Sequence, residues 1–190
     1  MAAPLYLVRH GESQWNVLRL TQGQTPHPKL TSRGRRQAEQ AAELIANDLS
    51  GRRVAHVVTS DLVRAVETAR IVQQRLGGQL SHDPRLREQS VGELEGQPYE
   101  AAWAATTAID WSDPTVRIGG GESLHDVRQR MSEAMAEARG GEVRVLVSHG
   151  DSIRAGLAWL SGRSASYDDE WVAVPNGAVA RVDDAVTWLS

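Results

Sequence analysis

The sequence predicts an α/β fold, a three-layer α/β/α sandwich around a mainly parallel sheet, and two features predict it. Short apolar runs of strand length alternate with long stretches whose apolar residues recur at helical spacing. Two of the runs, Leu5-Tyr6-Leu7-Val8 and Val143–Val147, end in Arg9-His10-Gly11-Glu12 and Ser148-His149-Gly150. A buried strand has little structural reason to end in histidine and glycine. Open α/β sheets, however, collect reactive groups just beyond the carboxyl ends of their strands.

The elements follow in order. Pro4–Val8 reads as a buried strand, and Ser13–Lys29 as a polar loop in which Gly23, Pro26 and Pro28 oppose helix. A helix from Thr31 places Ala38, Ala41, Ala42, Ile45 and Leu49 on one face, with Gly51 as its stop. Val54–Val58 is the second strand. Leu62, Ala65, Val66, Ala69, Val72 and Leu76 trace a second helix that Gly77-Gly78 ends. A short strand at Gln79–Ser81 precedes Leu86-Arg87-Glu88, and Trp103 and Trp111 flank one or two short helices. Gly119-Gly120-Gly121 reads as a hinge or tight turn, since no Lys-Ser/Thr follows to make a P-loop. A third long helix from Ser123 faces Leu124, Val127, Met131, Ala134, Met135 and Ala138 to the core. After the His149 strand come a helix at Ile153–Leu160 and closing strands at Ala178–Val182 and Val186–Leu189. With no repeat or linker in the pattern, one domain over 1–190 is expected.

Composition excludes several classes. With no cysteine there are neither disulfides nor thiolate metal sites. A net charge of −3 gives no basic field to hold nucleic acid. No apolar stretch approaches the roughly 20 residues of a membrane span. The opening Met1-Ala2-Ala3-Pro4 carries no basic region or cleavage site, so a cytoplasmic protein is expected, monomeric or homodimeric. Lys29 is the sole lysine; arginine, whose planar fork matches phosphate oxygens, supplies the other cations.

In a parallel sheet, Arg9-His10, Ser60-Asp61 with Arg64, and His149 all arrive at one edge. Two imidazoles with arginine suit a phosphoryl group, whose charge lies on several oxygens. A neutral imidazole can attack phosphorus to give a phosphohistidine that water then cleaves. The leaving alkoxide needs a proton, hence a nearby carboxylic acid.

The ordered blocks resemble the histidine phosphatase superfamily, the group that includes cofactor-dependent phosphoglycerate mutases. They are Arg9-His10-Gly11-Glu12-Ser13 with Trp15-Asn16, Gln22-Gly23, Leu30-Thr31 with Gly34 and Gln37-Ala38, Ser60-Asp61-Leu62 with Arg64-Ala65 and Thr68-Ala69, Leu86-Arg87-Glu88 with Gly92 and Glu95-Gly96, Gly120-Gly121-Glu122-Ser123, Ser148-His149-Gly150 and Asn176-Gly177. The resemblance spans nearly the whole chain and implies a phosphoglycerate mutase-like fold. It implies that His10 is the phosphorylated nucleophile, that Arg9, Arg64 and His149 form the phosphate pocket, and that Glu88 is the proton donor. Glu12, Glu93, Glu95 and Asp151 are the competing carboxylates. Asn16, Gln22, Gly23 and Gly150 are expected to bind substrate, and neither metal nor cofactor is expected.

Two departures bear on substrate. The loop Gln24–Lys29 lacks the aspartate often found before Leu-Thr, and the segment between Glu88 and His149 is short beside that of the mutases. A more open site admits water, so a metal-independent phosphomonoester hydrolase acting on a small phosphorylated substrate is expected. A phosphoglycerate mutase is the alternative, and a non-catalytic phospholigand-binding module the third reading. Specificity is expected in Gln24–Lys29 and Gln97–Ile118. His27, His56, His82 and His125 show no ligand spacing, although His27 could touch substrate, and Trp15 is a candidate pocket wall. The six tryptophans read as core and loop anchors.

Overall fold

The computed structural model describes residues 3–163 and 172–190. Met1 and Ala2, on which the reading of the amino-terminus partly rested, lie outside them.

The strands are β1 (Leu5–Arg9), β2 (Val54–Thr59), β3 (Gln79–His82), β4 (Val143–Ser148), β5 (Val179–Val182) and β6 (Val186–Leu189), in one six-stranded sheet ordered β3-β2-β4-β1-β5-β6. Strands β1 to β4 are mutually parallel, while β5 and β6 close one edge as an antiparallel hairpin. The helices are α1 (Gln14–Val17), α2 (Ser32–Asp48), α3 (Val63–Leu76), α4 (Tyr99–Ala105), α5 (Leu124–Ala138) and α6 (Gly150–Leu160).

Alternation along the strands divides the core into two layers. Tyr6 and Val8 of β1, with Val145 and Val147 of β4, face Ala41, Ala42 and Ile45 of α2 and Ala65, Ala69 and Val72 of α3. Leu5, Leu7 and Leu146 face Val127, Met131 and Met135 of α5 and Ile153 of α6. The three-layer sandwich is therefore present. The predicted apolar stripe of α5 is buried at every named position, from Leu124 to Ala138.

Register decides what reaches the crevice. Val147 pairs with Val8 on one side and Thr59 on the other, and Arg9 is level with Ser148. His10 and His149 are thus the next residues of adjacent parallel strands, and Ser60 leaves β2 on the same edge.

Three local readings need correction. Ser13–Lys29 is not loop throughout: Ser13 and Asn16 form a reciprocal capping box that nucleates α1. The breakers Gly23, Pro26 and Pro28 all lie beyond it. Trp103 sits within α4 rather than flanking it, and α6 begins at Gly150, three residues before Ile153. The described tryptophans lie at the periphery of the core, with Trp159 packed against it. Trp103 and Trp188 are exposed, and Trp15, Trp111 and Trp159 are half-buried.

One glycine pair is dictated by space. A Cβ on Gly11 would lie 2.0 Å from Gly34 O, and one on Gly34 would lie 2.1 Å from Glu12 O. The backbone after His10 therefore packs directly on the first turn of α2.

Candidate active site

The five residues singled out for catalysis converge where β1, β2 and β4 end. The rings of His10 and His149 are 5.0 Å apart between centroids, and both are buried. His10 Nδ1 lies 2.7 Å from Gly11 O, which can only accept, so the proton belongs on Nδ1 and Nε2 keeps its lone pair. His149 Nε2 meets Ser60 Oγ at 2.7 Å, while its Nδ1 is buried without a hydrogen-bond partner among the described residues. Burial holds both imidazoles well below the ordinary histidine range, with Arg64 and then Arg9 adding to it for His10. Both rings are neutral at pH 7.

Arg64, in the first turn of α3, is fully buried. Its guanidinium donates to Gly23 O at 2.8 Å and Thr25 O at 2.9 Å, and it forms no ion pair among the described residues. Burial pushes its pKa down to about 10, so it is charged at neutral pH. Arg9 donates to Val174 O and likewise has no carboxylate in salt-bridge contact among the described residues. Arg9 Nε and Arg64 Nε are both buried without partners among those residues. A buried charge without a counter-ion is costly, and an anion held between the two arginines would satisfy it. Glu88 and Tyr99 are within electrostatic reach of both guanidinium groups.

Glu88 lies at the amino-terminus of α6, where the N-cap His149 offers no side-chain cap. Its Oε1 accepts from the N–H groups of Gln89 at 3.0 Å and Ser152 at 3.2 Å, and its Oε2 from that of Asp151 at 3.3 Å. With Arg9, Gly150 and Asp151, Glu88 lines a crevice of about 310 Å³. Three of the competing carboxylates have other partners, and Glu93 is exposed. Glu12 accepts from Thr31 Oγ1 at 2.7 Å, Glu95 is occupied by the Gln24 N–H at 3.0 Å and by Thr25, and Asp151 pairs with Arg154.

The expected substrate-side residues are close by but carry structural bonds. Asn16 Oδ1 accepts from Ser13 N–H at 2.9 Å, Gln22 Oε1 accepts from Ser13 Oγ at 2.7 Å, and Gly23 presents its carbonyl to Arg64. Gly23 has φ +46°, and a Cβ there would meet the Glu95 carboxylate at 2.4 Å. At Gly150 a Cβ would touch the Arg9 guanidinium at 3.5 Å. Among the described residues no group of three or more His, Asp or Glu is arranged to hold a metal, and no helix is long and apolar enough to cross a membrane.

Several supporting residues escaped sequence reasoning. Thr68 Oγ1 accepts from Gly11 N–H at 3.1 Å, and Asn176 Nδ2 donates to His10 O at 3.1 Å. Arg130 of α5 donates to the carbonyls of Arg85, Arg87 and Glu88 and pairs with Glu122 at 2.8 Å, clamping the backbone that carries Glu88. Thr68, Asn176 and Glu122 stand in the blocks that carry the resemblance. Arg130 had no signal, because its helical position adjoins the core stripe without belonging to it. The loop Gln24–Lys29 splits: Gln24 and Thr25 support Glu88, Glu122 and Arg64, while His27 is exposed, its ring edge-on to Trp15 at 5.3 Å.

A profile described as the histidine phosphatase superfamily (branch 1) matches residues 5–184. Among curated proteins, a probable phosphoglycerate mutase GpmB of Serratia proteamaculans is 35% identical over 98% of this chain and 87% of that protein. Among solved structures, a mycobacterial glucosyl-3-phosphoglycerate phosphatase complexed with VO3 superposes with a TM-score of 0.81 at 31% identity, covering 98% of this chain and 96% of that one. YhfR of Bacillus stearothermophilus gives 0.82 at 31% identity, over 98% and 94%.

Proposed function

The chain belongs to the histidine phosphatase superfamily, and we propose that it is a metal-independent phosphomonoester hydrolase working through a phosphohistidine on His10. The observation that carries the proposal is the His10 tautomer. With Nδ1 bonded to Gly11 O, Nε2 offers a lone pair beside two buried arginines that lack counter-ions among the described residues. His10 Nε2 attacks phosphorus, the P–N bond forms, and the P–O bond to the leaving group breaks. Glu88, carrying a proton, delivers it to the departing alkoxide. Glu88 carboxylate then takes a proton from water, whose oxygen attacks phosphorus and breaks the P–N bond. Arg9, Arg64 and His149 hold the phosphoryl oxygens throughout. We place this activity in the cytoplasm, in one domain, on a small phosphorylated substrate.

Phosphoglycerate mutase is the second reading, favoured by the names of curated relatives such as that of Serratia. The lining of the cleft next to the Glu88 crevice, whose residues include Leu94, Tyr99 and Trp103, favours hydrolysis. That cleft is mostly apolar, and its Arg19 is already paired with Glu100 at 2.6 Å, leaving little to hold a carboxylate. The test is phosphate release from a panel of phosphomonoesters in EDTA, with His10→Ala alongside. Turnover that survives EDTA and vanishes in the variant supports hydrolysis. Interconversion of 2- and 3-phosphoglycerate without phosphate release would replace it with the mutase reading.

A further inference from the structure

Beside the phosphate crevice lies an open cleft of about 490 Å³, within the range of small-ligand sites. Val91, Leu94, Tyr99, Trp103, Trp111 and Ile118 form its walls. The rings of Trp103 and Trp111 stack 12° from parallel with centroids 6.1 Å apart, although Trp103 is 70% exposed. Trp103, stacked on the half-buried Trp111, leaves apolar area in water that a ligand would cover.

The cleft adjoins the crevice. Asp151 lines both, Gln89 on its floor adjoins Glu88, and the Tyr99 hydroxyl is within electrostatic reach of Arg9 and Arg64. A phosphomonoester bound at His10 with its leaving group beside Glu88 would have these walls next to that group. Thr21, Gln89 and Thr106 also line the cleft, but most of the surface it exposes is apolar, so a carboxylate or polyhydroxyl group would set most of its polar atoms against carbon. A flat apolar ring would gain contact area from the two indoles and from Val91, Leu94 and Ile118.

We propose that this cleft is the leaving-group site and that the preferred substrates are phosphomonoesters of aromatic or similarly flat apolar alcohols. The inference rests on the reading of His10 and its arginines as a phosphate site.

The test measures calorimetric binding of two unhydrolysable probes, 1-naphthylmethylphosphonate and methylphosphonate, beside hydrolysis of 1-naphthyl phosphate and glycerol 3-phosphate. The parent should bind the naphthyl probe at least about tenfold more tightly. That ratio should fall about threefold or more in Trp103→Ala, an exposed truncation, and in Leu94→Gln, with circular dichroism confirming both folds. Equal affinities in the parent, or an undiminished ratio in both variants, would overturn the proposal. A naphthyl advantage without hydrolysis of either ester would keep the cleft and sink the phosphatase reading. Hydrolysis of both esters with no naphthyl advantage would do the reverse.

Discussion

Ser60 Oγ and His149 Nε2, delivered by β2 and β4, meet at 2.7 Å inside the protein. The hydroxyl can donate to Nε2, which leaves the proton of neutral His149 on Nδ1, the ring nitrogen without a partner. In the proposed scheme this tautomer would let His149 Nδ1 donate to the phosphoryl group. Ser60→Ala should lower kcat/KM about tenfold with no change in fold. Steady-state kinetics would check this, and an unchanged value would remove Ser60 from the account.

Arg64 has the strictest environment in the site. Replacing it by Met removes a buried charge but also leaves the Gly23 and Thr25 carbonyls without their donor. Phosphate at 100 times its Kd should stabilise the parent by about 2.7 kcal/mol, seen as a rise in Tm. Arg64→Met should lose that rise together with activity, measured by thermal denaturation with and without phosphate. A rise of equal size in the variant would show that the anion binds elsewhere.

Glu88 is assigned to the leaving group, so its removal should discriminate between esters. Glu88→Gln should slow an alkyl phosphate by about 10²- to 10⁴-fold. A nitrophenyl phosphate, whose leaving group departs without a proton, should suffer far less. Equal losses on both esters would assign Glu88 to structure, through its bonds to the start of α6.

Neutral burial of His10 and His149 couples stability to pH. Their folded pKa values lie below the unfolded value near 6.5. Below that value the unfolded chain takes up protons that the folded site refuses. Stability is therefore complete above the unfolded value and falls as pH drops beneath it, by about 1.4 kcal/mol per pH unit for each ring. Urea titrations between pH 4 and 7 should show a shallower slope in His10→Gln than in the parent. Identical slopes would mean that His10 is protonated in the fold.

Local pattern carried the readings that succeeded. The stripe from Leu124 to Ala138 and the two strand ends at His10 and His149 are written in consecutive residues, as are the starts of α2 and α5 at Thr31 and Ser123. Long-range consequences were not legible. Arg130 reaches Glu88 O across 42 positions, and nothing near Arg130 marks it as more than a helix arginine. Trp103 looked like an anchor because tryptophan usually is one, whereas its exposure depends on where α4 settles over the cleft. Asn16, expected on the substrate side, was not legible as half of a capping box, since polar loops and single helical turns share a composition.

The phosphorylated intermediate is the most direct test of the whole scheme. The parent would be mixed with a ³²P-labelled phosphomonoester, quenched in alkali, digested, and the labelled peptide sequenced by mass spectrometry. The account predicts acid-labile, base-stable label on His10, absent from His10→Ala and raised in Glu88→Gln when a nitrophenyl ester supplies the phosphoryl group. Steady release of phosphate with no label on His10, or label on another residue, would contradict it.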